Sequence, residues 1–245
     1  MKLALRTLLT ATATATTLLA TGGAHALEIN TLNLLTQSEF RALSEDLGAA
    51  LSYKALVPAE PLGVIGFDIG VGVTATELQH RDVLSKAAAG ADVPKALPVA
   101  SVRAVKGLPF NIDIGASLGR VPTTGATTAG GELRWAFVPG GVLTPALAVR
   151  ASYSQLSGID QLKASSAGLD VSISKGFLFA TPYAGIGTVT TRTQVTGTTL
   201  LQKERIHQTR VFGGVNVNLG LVNLAVEADK TGDATSYGVK AGFRF

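Results

Sequence analysis

The sequence predicts an all-β chain: a closed antiparallel transmembrane β-barrel of about ten strands, preceded by a short amphipathic helix. Three observations lead there. Charged residues make up only 16% of 245 and the mean hydropathy is +0.33, a composition that fits neither a disordered chain nor an ordinary soluble domain. The longest charge-free runs after the N-terminal segment, 176–191 and 211–226, are interrupted by Gly, Thr or Asn and fall short of the ~20 apolar residues of a membrane helix. Apolar residues instead alternate with polar ones or glycine in ten segments of roughly the length that a tilted strand needs to cross a bilayer. The absence of cysteine excludes disulfide frameworks, thiol catalysis and Cys-ligated zinc.

Residues 1–26 read as a cleaved signal peptide. Lys2 and Arg6 precede an apolar, Thr/Ala-rich stretch that ends in Ala24-His25-Ala26, a small-x-small exit. Its removal takes two of the 21 basic residues, leaving 19 against 17 acidic ones. That balance is too even for a nucleic-acid partner, which needs a cationic face. Residues 27–62 form an N-terminal segment with a helix at about 38–54. Phe40, Leu43, Leu47, Ala50 and Leu51 recur there at helical spacing behind Ser38 as cap. This helix is placed at the tight-turn end of the barrel, on the periplasmic side. Reading 27–35 and 47–53 as strands gives the alternative, twelve in all. Pro58-Ala59-Glu60-Pro61 then makes an extended turn into a barrel that occupies 63–245.

The strands follow in order, outward residues first. Ile65, Phe67, Ile69, Val71 and Val73 oppose Gly66, Asp68, Gly70 and Gly72. Ala100, Val102 and Ala104 oppose Ser101 and Arg103. Phe110, Ile112, Ile114, Ala116 and Leu118 oppose Asn111, Asp113, Gly115 and Ser117. Leu133, Trp135 and Phe137 oppose Glu132, Arg134 and Ala136. Leu147, Val149, Ala151 and Tyr153 oppose Ala148, Arg150, Ser152 and Ser154. Ala167, Leu169, Val171 and Ile173 oppose Gly168, Asp170, Ser172 and Ser174. The stretch 182–190 is β-rich with no clear outward parity. Val211, Val215, Val217 and Leu219 oppose Arg210, Gly214, Asn216 and Asn218. Val222, Leu224, Val226 and Ala228 oppose Asn223, Ala225, Glu227 and Asp229. The last strand sets Tyr237, Val239, Ala241, Phe243 and Phe245 against Gly238, Lys240, Gly242 and Arg244. Connections alternate as well: 106–109, 139–143, 175–179 and 218–221 are tight, whereas 76–97, 119–127, 155–163, 191–206 and 230–236 are longer and polar.

A soluble sandwich would carry Lys and Glu on its outer face, but these outward positions are uncharged. Phe110, Trp135, Phe137, Phe177, Phe179, Phe243 and Phe245 cluster near the tight turns, and Tyr153 and Tyr237 near the longer loops. This is the arrangement of two interfacial aromatic girdles. The final alternating segment, 237–245, ends in Phe. In this the chain resembles the bacterial outer-membrane β-barrel superfamily, through one motif nine residues long. The resemblance implies location in the bacterial outer membrane among its lipids. It also implies an insertion signal, Tyr237, Val239, Phe243 and Phe245, read by the barrel-assembly machinery.

By parity the interior holds Asp68, Asp113, Glu132, Asp170, Glu227 and Asp229 against Arg103, Arg134, Arg150, Arg210, Lys240 and Arg244. Six face six. Buried charges need partners, so paired groups are expected to close most of a narrow lumen and leave a structural or loop-mediated role. The alternative is a narrow, weakly selective channel lined by the same groups. A rim hydrolase is a second alternative: after signal cleavage only His80 and His207 remain, and neither has a nucleophile in a matched motif. No enzyme, cofactor or metal site is expected. Asp229 and Asp233 flank Lys230-Thr231-Gly232, which reads as a turn, and the glycines at 70, 72, 185 and 187 read as omitted lumen side chains. Loops 76–97 and 191–206 are the surface for an extracellular ligand.

Overall fold

The computed structural model describes residues 27–197 and 200–245; the expected signal peptide, 1–26, lies outside them. Ten strands form one ring: β1 (Phe67–Glu77), β2 (Ala96–Leu108), β3 (Ile112–Arg120), β4 (Thr127–Val138), β5 (Ala146–Ser157), β6 (Leu162–Ser174), β7 (Ala180–Val195), β8 (Glu204–Leu219), β9 (Val222–Thr231) and β10 (Ala234–Arg244). Each pairs antiparallel with its neighbours in sequence, and β1 meets β10 to close the barrel. Closure leaves no unpaired edge. The seam runs from Asp68↔Arg244 to Thr76↔Ser236, and the Phe67 and Phe245 backbones exchange hydrogen bonds of 3.0 and 2.9 Å at its end.

Strand parity follows the alternation. Ile69, Val71, Leu133, Trp135, Leu169, Val171, Val211, Val226, Val239 and Phe243 are exposed on the outer wall, while Asp68, Arg134, Arg150, Asp170, Arg210 and Glu227 are buried inside. The β-rich stretch without a clear outward face is resolved within β7: Ala184 and Ile186 point out, and Thr181, Tyr183, Val189, Thr191 and Thr193 point in. Phe110 departs from the expected alternation. It lies in a one-turn 3-10 segment, Pro109–Asn111, with φ of 65°, and Asn111 follows at 59°. Pro109 cannot donate to a ladder, so the strand restarts at Ile112 and Phe110 stands 86% exposed on the turn.

The helix is α1 (Gln37–Leu51), capped by Thr36 and not by Ser38. Glu39 N–H donates to Thr36 Oγ1 at 3.3 Å while Thr36 N–H donates to Glu39 Oε2 at 2.7 Å, a reciprocal pair that satisfies two free donors of the first turn. This helix excludes the twelve-strand alternative, since 47–51 lie in it and 32–34 form a 3-10 turn. It also lies at the opposite end from the one expected. It sits inside the ring at the long-loop mouth, against β6, β7, β8 and β10 and against α2 (Arg81–Ala87) of the β1–β2 loop. Leu32, Phe40, Leu43 and Leu47 form one apolar cluster there with Leu78, Val83, Leu84, Val121, Leu162 and Val195. Amphipathic spacing announces an apolar stripe but not the surface that covers it. From Ser52 the chain runs down the lumen and reaches the tight-turn end near Leu62, where Gly66 O accepts from Gly107 N–H.

Candidate functional site

The interior of the barrel is polar and its exterior apolar, the reverse of a soluble domain. The twelve charged residues assigned inward by parity face the lumen, and cross-strand register sets six of them in opposed pairs of unlike charge. Asp113 lies opposite Arg134, Arg150 opposite Asp170, and Asp68 opposite Arg244. At the tight-turn end, Arg134 grips Asp113 through Nη2 (2.6 Å) and Nε (3.1 Å), and Asp68 takes Lys240 at 2.6 Å with Arg244 at 3.7 Å. Halfway up, Arg150 pairs with Asp170 at 3.0 Å and, more loosely, with Glu132 at 3.6 Å. Beside it, Arg210 contacts Glu227 at 2.9 Å and Asp229 at 3.3 Å. Between these two arginines lies the Phe212 ring, its centroid 5.3 Å from the Arg150 guanidinium and 4.7 Å from that of Arg210.

The descending segment supplies what sequence reasoning missed. Its peptide groups have no strand partner, and buried backbone donors and acceptors must be satisfied. Wall side chains do this. Arg210 Nη1 donates to Tyr53 O (2.6 Å), Arg103 Nη1 to Lys54 O (2.6 Å) and Ala55 O, and Arg134 Nη1 to Pro58 O. In return, Leu56 N–H donates to Glu227 (3.3 Å), Glu60 N–H to Ser174 Oγ (3.1 Å) and Leu62 N–H to Asp113 (3.1 Å). Lys54, read from sequence only as the end of the helix, enters the charge network at Asp229 Oδ1, 2.8 Å away. Arg103, expected among paired charges, is held by two carbonyls and by the face of Tyr53, 5.9 Å away. A signal was present in the sequence: Ala55-Leu56-Val57 is too apolar for a solvated linker, and the prolines at 58 and 61 bar it from a central strand.

One cavity of about 40 Å3 lies between the segment and the wall, bordered by Tyr53, Thr74, Ser101, Arg103, Ser117 and Ser154, room for about one or two waters. Glycine makes the fit possible: a Cβ on Gly185 would stand 2.3 Å from Phe212 Cζ.

The histidines are far from this centre. His80 lies beside Asp46 of α1, its N–H donating to Oδ2 at 2.8 Å and its Nδ1 3.4 Å from Oδ1. His207 faces outward on β8, 2.9 Å from Thr190 Oγ1. Asp229 is committed to Lys54, Arg210 and Thr231, while Gly232 and Asp233 form the turn between β9 and β10. Among the described residues no cluster of three or more His, Asp or Glu could hold a metal. At the mouth, the Glu39 carboxyl is held down at about 2, first by the Thr36 N–H hydrogen bond and then by Lys86 at 2.9 Å, which favour its charged form.

No family model matches the chain, and no curated protein does. Solved structures are similar to it. The N-terminal β-barrel domain of OprF from Pseudomonas aeruginosa is 10% identical, with 75% of this chain and 99% of that one covered and a TM-score of 0.39. The KdgM porin is 10% identical over 72% and 99%, TM-score 0.36. Neisserial surface protein A is 12% identical over 73% and 94%, TM-score 0.30. These neighbours are bacterial outer-membrane β-barrel proteins.

Proposed function

We propose that the chain is an integral outer-membrane β-barrel, exported by residues 1–26, whose lumen is filled by its own segment 52–62. It serves as a rigid membrane anchor for its long loops, not as an open channel or a hydrolase. The observation that carries this reading is the grip of Arg103, Arg134 and Arg210 on main-chain carbonyls of that segment, which holds it along the lumen with a cavity of about 40 Å3 beside it. The membrane reading is supported by the outer wall. Exposed Ile, Val, Leu and aromatic side chains cover it from Phe67 and Phe243 at the tight turns to Tyr153 and Tyr237 near the loops, an expanse that water would penalise and hydrocarbon accepts. Phe245, stacked on Phe67 with ring centroids 5.7 Å apart, ends the strand that the assembly machinery would read. The surface left for an extracellular ligand is the β1–β2 and β7–β8 connections, which are shorter than the expected 76–97 and 191–206 because β1, β2, β7 and β8 run into those ranges.

Planar-bilayer recording tests the filled lumen. The refolded chain should give no discrete conductance, and a chain lacking residues 27–62 should give stepwise conductance. Steady unit conductance from the intact protein overturns the reading.

A further inference from the structure

The outer face of β5 to β8 changes character over two rows of the sheet. Tyr153, Ala167, Thr190 and His207 stand side by side across the four strands. The next row toward the loops reads Gln155, Ser165, Arg192 and Arg205. Arg192 and Arg205 are therefore direct cross-strand neighbours, and both are exposed. Like charges in directly opposed positions repel and destabilise a sheet. Among the described residues neither arginine meets a carboxylate within ion-pair distance, because Glu204, next to Arg205, is taken by Arg41 at 3.4 Å and by Gln37. Lys163 and Lys203 stand beside the two arginines, and these four cations border a hollow of about 640 Å3 whose one acidic lining residue is Glu204, already taken by Arg41 and Gln37.

We propose that this hollow seats the phosphate of a lipid headgroup in the leaflet on the long-loop side. The proposal rests on the membrane reading above. A phosphate between two guanidiniums turns their repulsion into shared, charge-assisted hydrogen bonds, for which the arginine fork is suited. The depth agrees. The arginine row lies two residues beyond the Tyr153 row, about 5 Å further along the barrel axis for a strand tilted by about 45°, and interfacial tyrosines sit at headgroup level. The occupant is a lipid because the same outward faces continue below as Leu169, Val171, Ile186 and Val211, a wall for its acyl chains directly under its phosphate.

The test uses the full refolded chain in phosphatidylcholine nanodiscs doped with a fluorescent diphosphorylated glycolipid, or with the same glycolipid stripped of phosphate. Insertion into undoped phosphatidylcholine vesicles is scored first. A chain that stays outside them overturns the membrane reading and the proposal with it, whereas a chain that inserts without discriminating between the two glycolipids overturns the proposal alone. The expected result is preference for the phosphorylated lipid, weakened about tenfold or more in the R192Q/R205Q double variant. R120Q, which changes an exposed arginine on β3, should bind as the unaltered chain does. The double variant should melt no lower than the unaltered chain in undoped vesicles, because it removes a repulsion. Equal binding by the double variant, or full displacement by inorganic phosphate, overturns the proposal.

Discussion

Replacing Arg134 with Ala tests whether the descending segment and the wall are one energetic unit. The side chain is 2% exposed and joins β4 to Asp113 of β3 and to Pro58 O of the segment. Truncation leaves Asp113, itself fully buried, with the Leu62 N–H as its remaining donor, and leaves the Pro58 carbonyl bare. Removing one partner of a buried, hydrogen-bonded ion pair costs about 3–5 kcal/mol, most of it the penalty on the stranded charge. R134M/D113L removes both charges at similar volume and should recover most of that loss, so a double-mutant cycle should give a coupling well above ~1 kcal/mol. Urea unfolding in lipid vesicles measures it. The only tryptophan, Trp135, is the next residue along β4 and faces outward, so its fluorescence reports the strand directly. A loss below ~0.5 kcal/mol for Arg134→Ala would refute the argument that this grip carries stability.

Three further outcomes follow from the geometry. Glu39 is depressed in the folded chain relative to its usual value of 4.5, so its contribution is complete above that pH and is lost as pH falls toward about 2. Limited proteolysis at the mouth should begin in that window and leave the barrel strands intact, and in Glu39→Ala, which keeps neither the hydrogen bond from Thr36 N–H nor the Lys86 pair, it should occur already at neutral pH. Gly185→Val drives two methyls toward Phe212 and should displace the ring from between Arg150 and Arg210. A loss of about 1–3 kcal/mol in the same urea assay is expected, and an unchanged midpoint would contradict the packing described. Deleting Phe245 removes the exchanged hydrogen bonds with Phe67 at the seam, and should lower the amount of heat-modifiable barrel recovered from membranes while soluble precursor accumulates.

The wall was legible in the sequence because a period of two fixes which side chains share a face, and antiparallel neighbours in sequence then fix register. Arg134 beside Asp113 and Arg150 beside Asp170 follow from those two facts. Strand ends were less legible. In 188–195 and 204–210 polar residues occupy both faces near the mouth, so alternation fades although the ladder continues. The position of the helix was not legible, since Phe40, Leu43 and Leu47 define a stripe without naming its cover. The lumen filling escaped for a similar reason: Arg103, Arg134 and Arg210 were matched against carboxylates, and peptide oxygens leave no mark in a sequence.

A hold on peptide oxygens is blind to what hangs from the α-carbon. Along 53–58 many side-chain exchanges leave Tyr53, Lys54, Ala55 and Pro58 offering the same acceptors to the same arginines. An added or missing residue slides every acceptor out of step at once. Where the side chain is not itself engaged, as Tyr53 is with Arg103 and Lys54 with Asp229, drift in identity should therefore be tolerated far better than any change in length.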